Sequence, residues 1–161
     1  MAKKDSDITE VARGVLETLV TMMGVVASVV PQDYPVAEGG EAATSITLDI
    51  KGDDLGVLIG RRGQTLACLQ YLVRLIVGQR MEAWVPIIID VEGYKQRRYE
   101  ALRALAWRLA EQVKARGAPF TLEPMLAYER RIIHIALADH SDVSTQSIGE
   151  GEARRVVIQL K

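Results

Sequence analysis

The chain has 161 residues, room for one medium domain or two small ones. Its residues are 48% apolar and 25% charged with a net charge of −1, which excludes a disordered or strongly polyionic chain. Apolar runs of about eight residues fall far short of the ~20 that span a bilayer; the opening MAKKDSD holds no secretory signal, and the single Cys68 forms neither an internal disulfide nor a zinc site.

A reducing, cytoplasmic location without membrane insertion is therefore the expectation. The near-neutral total hides an asymmetry. Residues 1–93 hold 8 Lys/Arg against 13 Asp/Glu, a net of −5, and residues 94–161 hold 12 against 8, a net of +4. Within 94–116 there are 7 basic residues and 2 acidic ones. Such a split points to two functional halves, the second better suited to a polyanion.

In chain order, Ile8 to Met23 reads as a helix, with Val11, Val15, Leu16, Leu19 and Met22 near helical spacing and Gly24 as its stop. Val25–Val30 is short and β-branched, hence a strand. A turn-rich stretch, Pro31 to Glu41, leads into Ile46, Leu48 and Ile50, which alternate with Thr47 and Asp49 as in a half-buried strand. From Asp53 the pattern turns helical, is interrupted by Gly60-Arg61-Arg62-Gly63, and resumes from Gln64 to Val77 with Leu66, Leu69, Leu72, Val73 and Ile76 on one face and Gly78 as its end. Trp84–Val91 reads as a covered strand.

Tyr94 to Ala115 reads as a long amphipathic helix with a core stripe of Leu102, Leu105, Leu109 and Val113, closed by Gly117 and Pro119. Pro124 is placed to start a further helix running to about Ala138. Val143–Ile148 and Arg154–Leu160 then form a hairpin around Gly149-Glu150-Gly151. The charge shift and the closing strand place a boundary near Val91–Tyr94, giving domains 8–93 and 94–161 of an α+β chain.

Two segments carry chemistry. In Gly60-Arg61-Arg62-Gly63 the glycines let the backbone turn tightly and approach another molecule. The helix start that follows offers unpaired amides to an anion. Arg61 and Arg62 can each neutralise a phosphate, and neither G-x-x-x-x-G-K-[ST] nor G-x-G-x-x-G is present. The strand–helix–turn–helix–strand setting resembles a KH domain, which clamps about four nucleotides of a single strand with such a turn. With the leading helix and hairpin, the order helix-strand-strand-helix-helix-strand resembles the bacterial type II arrangement. Val57, Leu58 and Ile59 read either as lining a base groove or as ordinary core.

Arg130 and His134, four apart, share one face of the later helix, with Arg131 further round beside Ala127 and Ala138. Arginine forks onto phosphate, and histidine donates a hydrogen bond or stacks on a base; a purely local polar pair is the alternative. The stretches LIGRRGQTLACLQYLVRLIV and EPMLAYERRIIHIALA are similar to the two characteristic segments of the bacterial Jag family, a KH domain followed by an Arg-x-x-x-His domain that binds single-stranded nucleic acid. The resemblance runs from about residue 8 to residue 161. It implies binding positions Gly60, Arg61, Arg62, Gly63, Arg130 and His134, a second domain with helices on a small antiparallel sheet, and single-stranded RNA, or DNA, as ligand. It also implies a role affecting elongation or division of the cell envelope and a small KH-domain protein as partner. Many members carry an additional small N-terminal domain; the expectation here is a chain without it.

No catalytic constellation is visible, and neither enzymatic activity nor a cofactor or metal is expected. Asp139, His140 and Asp142 read as a helix-terminal polar cluster, Asp53-Asp54 as a helix start, and Cys68 as a small apolar filler. Trp107 falls among Arg103 and Lys114 and away from the core stripe, as a stacking residue or a domain-packing one. With one Phe, two Trp and five Tyr, backbone contacts should outweigh stacking. The competing reading is a protein-interaction adaptor whose KH half mainly mediates dimerisation.

Overall fold

The computed structural model describes residues 2–32 and 45–161; most of the expected turn-rich stretch, Pro31 to Glu41, lies outside the described residues, and Pro31 itself belongs to a strand. The chain divides into two compact units, Met1–Tyr94 and Lys95–Lys161.

The first unit runs α1 (Ala2–Met22), β1 (Ser28–Gln32), β2 (Ile46–Lys51), α2 (Gly56–Ile59), a 3₁₀ turn at Arg61–Gly63, α3 (Gln64–Met81) and β3 (Ile87–Val91). The sheet order is β1-β2-β3; β1 pairs antiparallel with β2, Val29 opposite Ile50, and β2 pairs parallel with β3, Leu48 opposite Ile89. Ala12, Leu16 and Val20 recur every fourth residue along α1, and Leu66, Leu69, Val73 and Val77 line α3. They meet Leu48, Ile50, Ile87 and Ile89 of the sheet in one core. Leu16 is fully buried there, so Leu16→Ala would cost about 2–5 kcal/mol.

Several expectations are corrected. Thr47 and Asp49 are buried along with their apolar neighbours, because β2 is the central strand of the sheet. The Asp49 carboxylate is satisfied by Gln32 Nε2 and by the backbone N–H of Glu92, each at 2.9 Å, while burial raises its pKa above the usual carboxylate value. Gly78 does not end α3; the helix continues to Met81 and closes at Glu82, which takes the left-handed conformation (φ 49°). Leu72 and Cys68 are exposed, so the buried stripe is displaced to Val73 and Val77. Asp53 and Asp54 lie in the bend before α2, with Asp54 at φ 52°, and do not start the helix.

Both outer strands of this sheet carry a distinct device. Pro31, opposite Leu48 in β1, has no N–H to offer. Along β3, Arg74 Nε donates to the carbonyl of Ile87 at 2.6 Å and the N–H of Ile89 donates to Gln70 Oε1 at 2.9 Å.

The second unit consists of α4 (Tyr94–Arg116, whose first residue packs on the first core), β4 (Phe120–Thr121), α5 (Ala127–Ala136), β5 (Val143–Ile148), a 3₁₀ turn at Gly151–Ala153 and β6 (Arg155–Leu160). Its antiparallel sheet has the order β4-β6-β5. Leu102, Ala106, Leu109, Ala110 and Val113 of α4 pack with Ile132, Ile133, Leu137, Val143, Val156 and Ile158. Leu105 sits at the edge of that stripe, its expected place taken by two alanines.

Pro124 does not start α5. The N–H groups of Leu122 and Met125 donate to the carbonyls of Val156 and Arg154, so residues 120–125 run beside β6 and helical bonding begins only after extended Leu126. The α+β class and the helix-strand-strand-helix-helix-strand order agree with expectation. No described helix is long and apolar enough to cross a membrane.

Candidate nucleic-acid interface

The glycine turn is built from backbone strain that its residues tolerate. Gly60 has φ 71° and ψ −171°, a region open to glycine almost alone. A Cβ there would overlap the Thr65 hydroxyl and lie 2.9 Å from the Thr65 backbone nitrogen. Arg62 (φ 53°) and Gly63 (φ 78°) are left-handed, which turns the chain into α3 within three residues. Arg61 and Arg62 are exposed on this bend, and among the described residues Arg61 makes no ion pair. No side chain caps the start of α3 and no acidic residue occupies its first turn, so its positive end is not neutralised locally. Of the three apolar residues before the bend, Leu58 is core, Ile59 packs against it, and Val57 is exposed beside the turn.

The Arg-x-x-x-His segment is organised differently. Arg130 Nη1 donates to the carbonyl of Met125 at 2.7 Å, at the start of its own helix. His134 reaches β5: Nδ1 lies 2.6 Å from Thr145 Oγ1 and Nε2 lies 2.8 Å from Ser147 Oγ. Burial first, and the Arg130 charge second, hold the His134 pKa below its ordinary value, so the ring is neutral at neutral pH. One ring N–H donates to one hydroxyl and the other ring nitrogen accepts from the second. The imidazole expected to donate to a ligand is thus already engaged, and Thr145 and Ser147 join Arg130 in the cluster. Arg131 is exposed.

Three side chains of the candidate site escaped sequence reasoning. Thr145 and Ser147, two apart on β5, share a face by strand alternation, but nothing local tied them to His134. Glu129 is fully buried; its Oε1 accepts from Arg98 Nε of α4 at 2.6 Å, and Oε2 has no hydrogen-bond partner. A charged residue inside the second core is invisible to a hydropathy pattern. This pair ties α5 to α4 and so positions the neighbouring Arg130. Among the described residues no cluster of His, Cys, Asp and Glu is arranged to hold a metal ion.

Residues 13–89 match the family described as KhpA/KhpB, KH domain, and residues 100–160 match the domain family named for its Arg-x-x-x-His motif. RNA-binding protein KhpB of Clostridium symbiosum is 46% identical over 124 residues, covering 77% of this chain and 56% of that protein. Its Bacillus subtilis counterpart is 37% identical over 123 residues, 75% of this chain and 59% of that one. The chain belongs to the KhpB/Jag family. Similarity extends further along the chain in KhpB of Streptococcus pneumoniae, 31% identical over 158 residues, 96% of this chain and 46% of that protein. The chain spans about half the length of the curated relatives it matches. Both chemically informative segments fall inside the matched regions, the glycine turn in the KH part and Arg130 and His134 in the part that follows it.

Proposed function

We propose that this protein binds single-stranded RNA in the cytoplasm, gripping the sugar–phosphate backbone at the Gly60–Gly63 turn and again at the α5 surface carrying Arg130, Arg131 and His134. The observation that carries the reading is the turn itself. Gly60 abuts Thr65 so closely that no side chain fits, two arginines project from the bend, and the positive end of α3 lies directly behind it. The matched relatives are named RNA-binding proteins, and KH and Arg-x-x-x-His families on one chain supply two nucleic-acid modules. Two weak modules engaging one strand raise its apparent affinity. At the second site His134 acts through the hydroxyls it organises, leaving Arg130 and Arg131 to meet phosphate. In the cell this binding serves post-transcriptional control of envelope growth or division.

Arg61→Asp with Arg62→Asp is the direct test. If each arginine meets one phosphate, the double variant binds weakly and flattens log K against log salt by about 1.4, at ~0.7 per single-strand contact. Unchanged affinity and slope overturn the reading.

One observation favours a second role alongside it. Cys68, Tyr71, Leu72 and Leu75 follow helical spacing on α3 and are all exposed. An apolar stripe of that kind suits pairing with another KH domain, either a second copy or a small KH protein. Leu72→Glu with Leu75→Glu should abolish any concentration-dependent dimer seen by sedimentation; a wild-type chain that stays monomeric removes self-pairing, and one that also fails to shift when mixed with a small KH protein removes this role.

A further inference from the structure

The second unit also has a concavity, on the opposite flank of α5 from β5. Tyr99, Arg103 and Trp107, four residues apart on one face of α4, enclose with Ile135 and Asp139 a groove of about 320 Å³. That lies at the lower end of the range for small-ligand sites, about 300–1,000 Å³, and suits one planar ring system. Its walls are unusual for an outer surface. Trp107 is 47% exposed and Ile135 60% exposed, although an apolar core is available to both helices.

The aromatic wall is held rather than loose. His140, almost fully buried, sets its ring 5.2 Å from that of Trp107 at 46°. Its own position is fixed: Nδ1 accepts from the N–H of Asp142 at 3.2 Å, and its carbonyl accepts from Lys161 Nζ at 2.6 Å. Arg103 lies over the Tyr99 ring with Cζ 5.6 Å from its centre, a cation–aromatic stack at the groove wall. Asp139 makes no hydrogen bond or ion pair among the described residues, so its carboxylate presents acceptors only.

The groove thus offers an aromatic face, one guanidinium stacked on Tyr99 and one carboxylate, and a base edge carrying N–H donors would be held by that carboxylate. We propose that this groove takes a single unstacked nucleobase of the bound strand, stacked on Trp107, with its donor edge on Asp139. The inference rests on the RNA reading above. Guanine presents two adjacent donors, N1–H and the N2 amino group, to a carboxylate; uracil presents one, flanked by carbonyl oxygens. Guanine is therefore preferred and uracil least favoured. Helical phasing at ~100° per residue places exposed Arg131 between the flank of His134 and that of Ile135, so phosphate contact at the crest of α5 is compatible with a base turned into the groove.

The test uses the full chain with Trp84→Phe, leaving Trp107 as its only tryptophan, and two RNA decamers, one all uridine and one with a single central guanosine. The expected result is about tenfold tighter binding of the guanosine decamer, with quenching of Trp107 emission. Trp107→Leu and Asp139→Asn should each erase the guanosine advantage, while the slope of log K on log salt stays as in the parent. Equal affinity for both decamers, or an advantage that survives Asp139→Asn, overturns the groove assignment. So does a Trp107→Leu variant that changes oligomeric state but keeps the advantage, which would make the groove a protein contact. Binding that depends on Arg61 and Arg62 but ignores the groove variants sinks this inference alone; no binding of either decamer sinks the RNA reading with it.

Discussion

The turn between α2 and α3 and the α5–β5 surface, the two parts of the proposed RNA interface, are built in opposite ways. At the turn the ligand-facing surface is backbone, and its residues are chosen for what they lack, above all a Cβ at Gly60. On α5 the motif side chains bond within their own unit: Arg130 to the Met125 carbonyl and His134 to two β5 hydroxyls. On the proposed reading the turn offers bare backbone to the strand, whereas on α5 the motif histidine is a scaffold for the arginines that meet it. A histidine named in a binding signature need not touch the ligand; here it fixes the positions of groups that can.

The contrast can be broken most forcefully at its foundations. Arg98→Ala leaves the fully buried Glu129 carboxylate without its cation and should cost about 3–5 kcal/mol, read in urea denaturation of the second unit. Loss of RNA binding without loss of stability there would mean that the pair contacts ligand instead of organising α5. Gly60→Ala comes next. Backbone strain alone is worth about 1–3 kcal/mol, and the overlap with Thr65 adds to it, so the first unit should melt several degrees lower and RNA affinity should fall with it. An alanine variant of normal stability would show that the turn relaxes.

The smallest effect is a pH dependence. His134 has a folded pKa below its unfolded value of about 6.5. Its contribution is complete above that value and is lost as pH falls from ~6.5 through the depressed folded pKa, because the unfolded chain binds the proton more readily. Acid titration of wild type should show this loss of stability, and His134→Gln should remove that part of the slope. An identical profile in the variant would remove the neutral, hydroxyl-bound histidine from the account.

Local signals in the sequence reached most of the architecture. Alternation located β2 and β6, Gly24 and Gly117 closed their helices at positive φ, and the bend at Gly60–Gly63 lies where two glycines bracket two arginines. Three of the failures share one cause: each was decided by something far away in the chain. Periodicity grouped Leu72 with the α3 core but could not tell which flank of the stripe has no neighbour. Pro124 looked like a helix start because nothing nearby revealed that the Met125 N–H is taken by Arg154. His134 looked available because its hydroxyl partners lie 11 and 13 residues on, in another element.

The margins of the first sheet have a further bearing on a protein that meets extended polymers. Pro31 leaves β1 one donor short, and the Gln70 and Arg74 side chains occupy ladder positions along β3. Both devices oppose main-chain pairing by a stray polypeptide along these edges. What the unit leaves uncovered is the glycine bend, where bare backbone faces outward without forming a pairing edge.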